Sequence, residues 1–233
     1  MKQVGGKLHI GIILDGNRRY AKKKKIMPWE GHKVGADKVF ELLEWGKKLN
    51  VSELTLYTFS IENFNRPEKE KKFLFNLFKE NMRKLDRGKL KKDGTRVHFI
   101  GRLDMFPEGL YEEMHKLMND TRDNKDYKIN FAMAYGGRAE IVDAVKKISM
   151  RVKKGELDET DICEELITSN VYLPDEPDLI IRPGGEKRVS NFLIWQSYYS
   201  EWYFTDKLWP EFTKEDFSKA IEEYMIRERR FGR

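Results

Sequence analysis

The stretch HIGIILDGNRRY, residues 9–20, decides the fold. Residues 9–14 are a short apolar run that reads as a buried strand, and Asp15-Gly16-Asn17-Arg18-Arg19-Tyr20 follows without a break. The lysine-rich segment 21–25 then starts a helix. A carboxylate, a glycine, an amide and two guanidinium groups therefore gather where a strand ends. Strand ends in open α/β sheets are where ligands bind. Backbone N–H groups there face an anion, and a helix N-terminus favours negative charge. Arginine adds bidentate contacts to phosphate oxygens. Asp15 would repel a bare phosphate, so a bridging Mg2+ is the natural supposition. The plain alternative is a polar strand-to-helix turn with an ordinary cap.

Working outward, strand-like runs recur at 54–59, 97–100, 129–133 and 179–181, with a weaker one at 202–204. Helical spacing lies between them. Residues 35–49 place Val39, Leu42, Leu43, Gly46 and Leu49 on one face. Residues 68–85 do the same with Leu74, Leu77, Phe78, Met82 and Leu85, and residues 138–152 with Ile141, Val142, Val145 and Ile148. Alternating strands and helices predict an α/β fold: one domain over 1–233, with a central, mostly parallel sheet flanked by helices and joined by right-handed crossovers. No Pro/Gly/Ser-rich linker divides the chain. Residues 1–7 read as a flexible N-terminus and 225–233 as a C-terminal tail.

Lys and Arg number 45 against 39 Asp and Glu, a net charge of +6 that suits an anionic partner: phosphorylated metabolites, an acidic membrane surface or nucleic acid. Both signs are interspersed, so a solvated surface is the plain reading. The lone cysteine, Cys163, allows no intrachain disulfide and points to a reducing compartment. No run approaches the roughly 20 apolar residues of a membrane span. Residues 1–7 lack an apolar signal core. These features predict a cytoplasmic protein that touches a membrane at most peripherally.

A second cluster, Ser60-Ile61-Glu62-Asn63-Phe64-Asn65-Arg66-Pro67, follows the run 54–59, with Pro67 at the first position of the next helix. A third, Arg182-Pro183-Gly184-Gly185-Glu186-Lys187-Arg188-Val189-Ser190-Asn191, follows 179–181. Its glycines permit positive φ and its cations suit a diphosphate. Each loop alone reads as capping or a turn; three at strand ends point to one shared site. The chain carries no Walker motif, no G-x-G-x-x-G after the first strand, no zinc spacing among its four histidines, no G-x-S-x-G and no DDxxD.

In this order the clusters resemble the cis-prenyltransferase family, which includes undecaprenyl and dehydrodolichyl diphosphate synthases. The matching text is HIGIILDGNRRYAKK, GHKVGADKV, LTLYTFSIENFNRP, NFAMAYGGRAEIV and DLIIRPGGEKRVSNFLIWQSYYSEWYFTDKLWPEF, covering the chain from His9 onward. The resemblance implies a homodimeric α/β enzyme with a hydrophobic tunnel. It would use Mg2+ to condense isopentenyl diphosphate repeatedly onto an allylic diphosphate, farnesyl or geranylgeranyl. The product would be a long polycis-polyprenyl diphosphate, a precursor of a glycosyl carrier lipid.

The same resemblance assigns roles. Asp15 would be the essential metal-binding aspartate. Gly16, Asn17, Arg18, Arg19, Tyr20 and His32 would line the allylic diphosphate. Ser60, Ile61, Glu62, Phe64 and Arg66 would flank Asn63, which assists proton removal. An amide has almost no basicity, so Asn63 is an orienting group first. Arg182, Arg188, Val189 and Ser190 would take isopentenyl diphosphate. Glu201 would be a second metal carboxylate contributed across the dimer interface, and Arg230-Phe231-Gly232 an R-x-G element reaching the partner. Pro28 stands where many bacterial members carry Arg, and Lys187 where some carry His.

A carbocation needs a water-poor cavity and a polyprenyl chain an apolar tunnel. Phe73, Leu74, Leu77, Phe78, Met82, Ile129 and Phe131 are candidates, with ordinary helix-on-sheet core as the plain alternative. Two competing readings are a non-catalytic partner subunit of the same fold and a nucleic-acid-binding protein. Asp15, Asn63 and the 182–190 loop speak against the first, and the absence of any binding module against the second.

Overall fold

The computed structural model describes residues 8–85 and 87–227. Residues 1–7, 86 and 228–233 lie outside the described residues, and with them the N-terminal segment, most of the tail and Arg230-Phe231-Gly232. Six strands form one sheet: β1 (Leu8–Ile13), β2 (Val51–Ser60), β3 (Thr95–Ile100), β4 (Tyr127–Tyr135), β5 (Leu179–Pro183) and β6 (Glu201–Thr205). Their order is β3-β4-β2-β1-β5-β6, and every pairing is parallel. All six residues of β1 are buried, as expected of an inner strand covered on both faces.

The helices are α1 (Asn17–Lys24), α2 (Pro28–Lys48), α3 (Glu68–Lys84), α4 (Arg87–Lys92), α5 (Glu108–Thr121), α6 (Gly137–Lys153), α7 (Glu164–Asn170) and α8 (Lys214–Ile226). On one face Ile10, Ile12, Leu54 and Leu56 pack with Leu42 and Leu43 of α2 and Phe217 and Ile221 of α8. On the other, Ile13, Ala132 and Ile180 pack with Leu173, Phe192 and Leu193. A third cluster joins Phe59, Val97 and Phe99 to α3 and α5. Between Tyr57 and Ser60 the β2–β4 register shifts. That irregularity re-aims the strand end: Tyr57 packs with the second cluster and Phe59 with the third.

Three local expectations change. Helix α1 begins at Asn17, and the lysine run closes it, with Lys25 in the left-handed region at φ 56°. Cations at that end complement the helix dipole. Pro67 is the cap residue before α3 rather than its first residue. Helix α6 buries Gly137, Glu140, Ala144 and Ile148, while Val142 and Val145 are 47% and 49% exposed. The buried stripe is thus rotated by about one residue from the Ile141–Val145 face. Helices α5 and α8 fall outside the segments whose spacing predicts helices.

Candidate active site

The chain runs from β1 to β2 on one side and returns to β5 on the other, so the crevice between β1 and β5 is a topological switch point. Asp15 leaves β1 there, and Arg182 lies near the end of β5. Arg182 is 2% exposed and donates through Nη2 to Asp15 Oδ2 at 2.9 Å. Its Nη1 donates to Ser190 Oγ at 2.6 Å and to the Arg188 carbonyl. Arg19, one turn into α1, reaches Asp15 Oδ1 at 3.0 Å and donates to the Gly184 carbonyl. The carboxylate of Asp15 thus sits between two guanidinium groups. The turn is tight: Gly16 has φ +113°, and a Cβ there would lie 3.0 Å from the Leu208 side chain. The backbone N–H of Trp209 donates to the Asp15 carbonyl at 2.9 Å, and its Nε1 to the Gly35 carbonyl at 2.8 Å. Asn17 donates to the Leu14 carbonyl at 3.3 Å.

The second cluster forms a short 3-10 helix, Ile61–Asn65, with Ser60 at its cap. Asn63 Oδ1 accepts from the Ser60 N–H at 3.2 Å. Phe64 packs edge-on to Phe59 at 5.1 Å between ring centroids and also meets Phe75 and Phe106. Arg66 donates to Glu70 Oε1 at 2.7 Å and lies 3.2 Å from His32 Nε2. Burial, then the Arg66 guanidinium, holds the His32 imidazole down to about 4, so it is neutral at physiological pH.

These groups rim a cavity of about 360 Å³. Asp15, Asn17, His32, Asn63, Arg66, Arg182 and Arg188 face its mouth, and Val39 and Leu43 of α2, Leu74, Leu77, Phe78 and Met82 of α3, and Phe59 and Phe131 of the sheet wall its interior. Asp15 is the one carboxylate among the described lining residues. Phe73 and Ile129 do not line it: Phe73 packs near Trp29, and Ile129 lies in the α2–α8 core. A cationic mouth on an apolar interior fits a ligand with an anionic head and a hydrocarbon tail.

A prenyltransferase family model, described as undecaprenyl diphosphate synthase, matches residues 13–232. The chain belongs to this family. It is a prenyltransferase that condenses isopentenyl diphosphate onto an allylic diphosphate. It is 47% identical over 228 residues to a Methanopyrus kandleri protein, covering 97% of this chain and 84% of that one. It is 46% identical to a Thermococcus kodakarensis protein, over 97% and 86%. Both are named tritrans,polycis-undecaprenyl-diphosphate synthase, geranylgeranyl-diphosphate specific. The fold superposes on lavandulyl diphosphate synthase from Lavandula x intermedia, solved with dimethylallyl diphosphate, with a TM-score of 0.92 at 34% identity, over 97% of this chain and 98% of that one.

The family's remaining candidate residues fall in three places. Arg18 is exposed, and Tyr20 packs under Lys24. Ile61 and Glu62 flank Asn63, Val189 is exposed, and Ser190 sits under Arg182. Glu201 begins β6 opposite Leu179, at the far end of β5 from Arg182, and pairs with Arg227 at 2.7 Å. Within one chain it does not meet Asp15. Sequence reading assigned no individual role to Leu208, Gly35 or Asn191 and placed Trp209 at the end of an aromatic stretch suited to a dimer contact; Trp209 is instead wholly buried, and all four hold the site. They lie within the matching stretches, but their contacts join segments far apart in the chain, which spacing does not reveal.

Proposed function

We propose that this prenyltransferase extends geranylgeranyl diphosphate into an undecaprenyl-length polycis-polyprenyl diphosphate, the precursor of a glycosyl carrier lipid. The observation that carries it is the continuity of a cationic mouth with an apolar cavity at the β1–β5 switch point. The starter and length follow the names of the two archaeal relatives. In this reading Gly16, Asn17, Arg18, Arg19, Tyr20 and His32 hold the allylic diphosphate. Arg182, Arg188, Val189 and Ser190 hold isopentenyl diphosphate. Asn63 orients the condensing unit, flanked by Ser60, Ile61, Glu62, Phe64 and Arg66.

No group of three or more His, Cys, Asp or Glu is placed to hold a metal among the described residues. Asp15, the one carboxylate among the described lining residues, suits Mg2+, which is commonly bound through one or two carboxylates plus substrate phosphates rather than by a protein cage. Asp15 would hold it, and the bound ion would neutralise charge developing on the leaving diphosphate. Arg19 would stabilise the same charge, and the apolar walls would keep water from the cation.

The enzyme is further proposed to be a single-domain homodimer. Tyr198 and Tyr199 are 64% and 52% exposed, the residues of β6 are only half-buried, and Val142 and Val145 face outward on α6. Such apolar and aromatic exposure suits an interface, and it would let Glu201 serve the neighbouring site. No helix among the described residues is long and apolar enough to cross a membrane. The enzyme is proposed to be cytoplasmic, and exposed Ile26 and Met27 after the lysine run support peripheral membrane contact for product release.

The test is incubation of purified protein and Mg2+ with labelled isopentenyl diphosphate and either starter, with products sized by chromatography. Geranylgeranyl diphosphate should be preferred and the main product undecaprenyl-length. Preference for farnesyl diphosphate, or arrest after one addition, would overturn the assignment.

A further inference from the structure

We propose that Asn191 is a positioning residue that locks the Arg188–Ser190 turn to the segment carrying Asn63. The inference rests on the assignment of that turn to isopentenyl diphosphate.

Ser190, Asn191 and Leu193 all have left-handed φ, at 48°, 63° and 46°, and none is glycine. Non-glycine residues hold such conformations only where their surroundings enforce them, and they cluster at functional sites. Asn191 supplies the enforcement with every polar group it has on that side. Its carbonyl accepts from the Gly137 N–H at 2.7 Å, and its Oδ1 from the Arg138 N–H at 2.9 Å. These are the first two N–H groups of α6, a helix whose own cap residue, Gly136, offers no side chain. Its Nδ2 donates to Glu62 Oε1 at 3.3 Å, beside Asn63. A Cβ on Gly136 would lie 2.7 Å from that Nδ2, so glycine there leaves the amide its place.

The choice of asparagine follows. Among non-glycine residues it tolerates the left-handed region unusually well. Its amide accepts from a helix terminus and donates to a carboxylate at once. Asp offers no donor, and Gly neither group. Ser190 Oγ and the Arg188 carbonyl, both held by Arg182, lie just before Asn191. A rotation at Asn191 therefore shifts the groups that aim Arg182 at Asp15. The lock joins three strand ends: β5 through the turn, β4 through α6, and β2 through Glu62.

The experiment compares Asn191→Gly, Asn191→Asp, Glu62→Gln and the double variant Asn191→Asp/Glu62→Gln. Glycine keeps the left-handed backbone and removes the amide. Aspartate keeps the acceptor for Arg138 and sets a second anion against Glu62. Glutamine at position 62 restores that bond with donor and acceptor exchanged. Both Asn191 variants should raise KM for isopentenyl diphosphate about tenfold or more and lower kcat. The double variant should recover activity well beyond the product of its two singles, a coupling that double-mutant cycles isolate. Simple multiplication of the two single effects, or wild-type constants for Asn191→Gly, would overturn the lock. Should Asn191→Asp fail to fold, Asn191→Gly and its split between KM and kcat still decide. An increase confined to KM for the allylic starter, with coupling intact, supports the lock and overturns the assignment of the turn to isopentenyl diphosphate.

Discussion

Arg182 and Asp15 form a 2.9 Å ion pair across the β1–β5 crevice, and the arginine side of it is almost wholly buried. Asp15 is thereby both the counter-ion of a buried cation and the sole carboxylate on the cavity wall among the described residues. Asp15→Asn keeps the shape and a hydrogen-bonding oxygen but removes the charge. It should lower kcat by about 10²–10³-fold or more, with a smaller effect on substrate binding. Steady-state kinetics with varied Mg2+ check this; near-normal turnover would remove Asp15 from the chemistry.

The two arginines of the third cluster should separate. Arg188 is exposed and tied to Glu186 at 2.5 Å. Arg188→Ala should chiefly raise KM for isopentenyl diphosphate by the loss of one charge-assisted contact, worth about 1.5–3 kcal/mol. Arg182→Ala releases Asp15, Ser190 and the Arg188 carbonyl together, so kcat should fall as well. Equal effects of the two on kcat would contradict their different burial.

Glu201 tests the dimer. If it serves the neighbouring subunit, a mixed dimer of Asp15→Ala and Glu201→Ala subunits places both lesions in one site and leaves the other intact. Each mutant homodimer should be nearly inactive. The heterodimer should recover up to about half of wild-type activity, counting two independent sites. No recovery with verified heterodimers would place both residues in one subunit's site.

Acid should destabilise the fold through its histidines. Burial holds His32 and His98 down to about 4 and lowers His9 as well. Between about pH 4 and 6.5 the unfolded chain binds protons at His32 and His98 that the native fold does not. Stability should therefore rise with pH through that window. Glu140, raised by burial, opposes this trend in its own range. Thermal melts at pH 5 and 7 should show the higher Tm at pH 7. Activity above pH 6 should show no ionisation of His32.

Gly35 gives a steric test. A Cβ there would lie 2.1 Å from Asn17 Oδ1 and 3.1 Å from Trp209 Cδ1. Gly35→Ala should cost about 1–3 kcal/mol as overpacking and displace Asn17 from the mouth. Denaturant melts measure the first effect and KM for the allylic substrate the second.

The legible parts of this chain are those whose signal is local. The apolar run into Asp15, the Ser60–Pro67 turn and the Pro183-Gly184-Gly185 turn each mark a strand end within a few residues, so the parallel sheet and its anion-facing rim were readable. The face of α6 was not. Val142 and Val145 extend its apolar period outward, while a carboxylate, Glu140, lies on the buried side, where it accepts from Gln196 and from the backbone of Tyr172 and Leu173. Nor was the Asp15–Arg182 pair, whose members are 167 positions apart. Spacing carries no information about such a distance; the strand order supplies it.

That strand order also fixes when the crevice can exist. Strand β1 is synthesised first, yet its second edge stays open until residues 179–183 have been made and can pair with it. Contacts of such long range close slowly, and an unpaired strand edge invites wrong partners meanwhile. A nascent chain stopped before β5 would carry Asp15, Arg19 and Asn63 but not Arg182, the buried cation that faces Asp15 across the crevice. Catalytic competence is thus coupled to the late steps of folding, because the groups proposed to hold isopentenyl diphosphate are made well after those proposed to hold the allylic one.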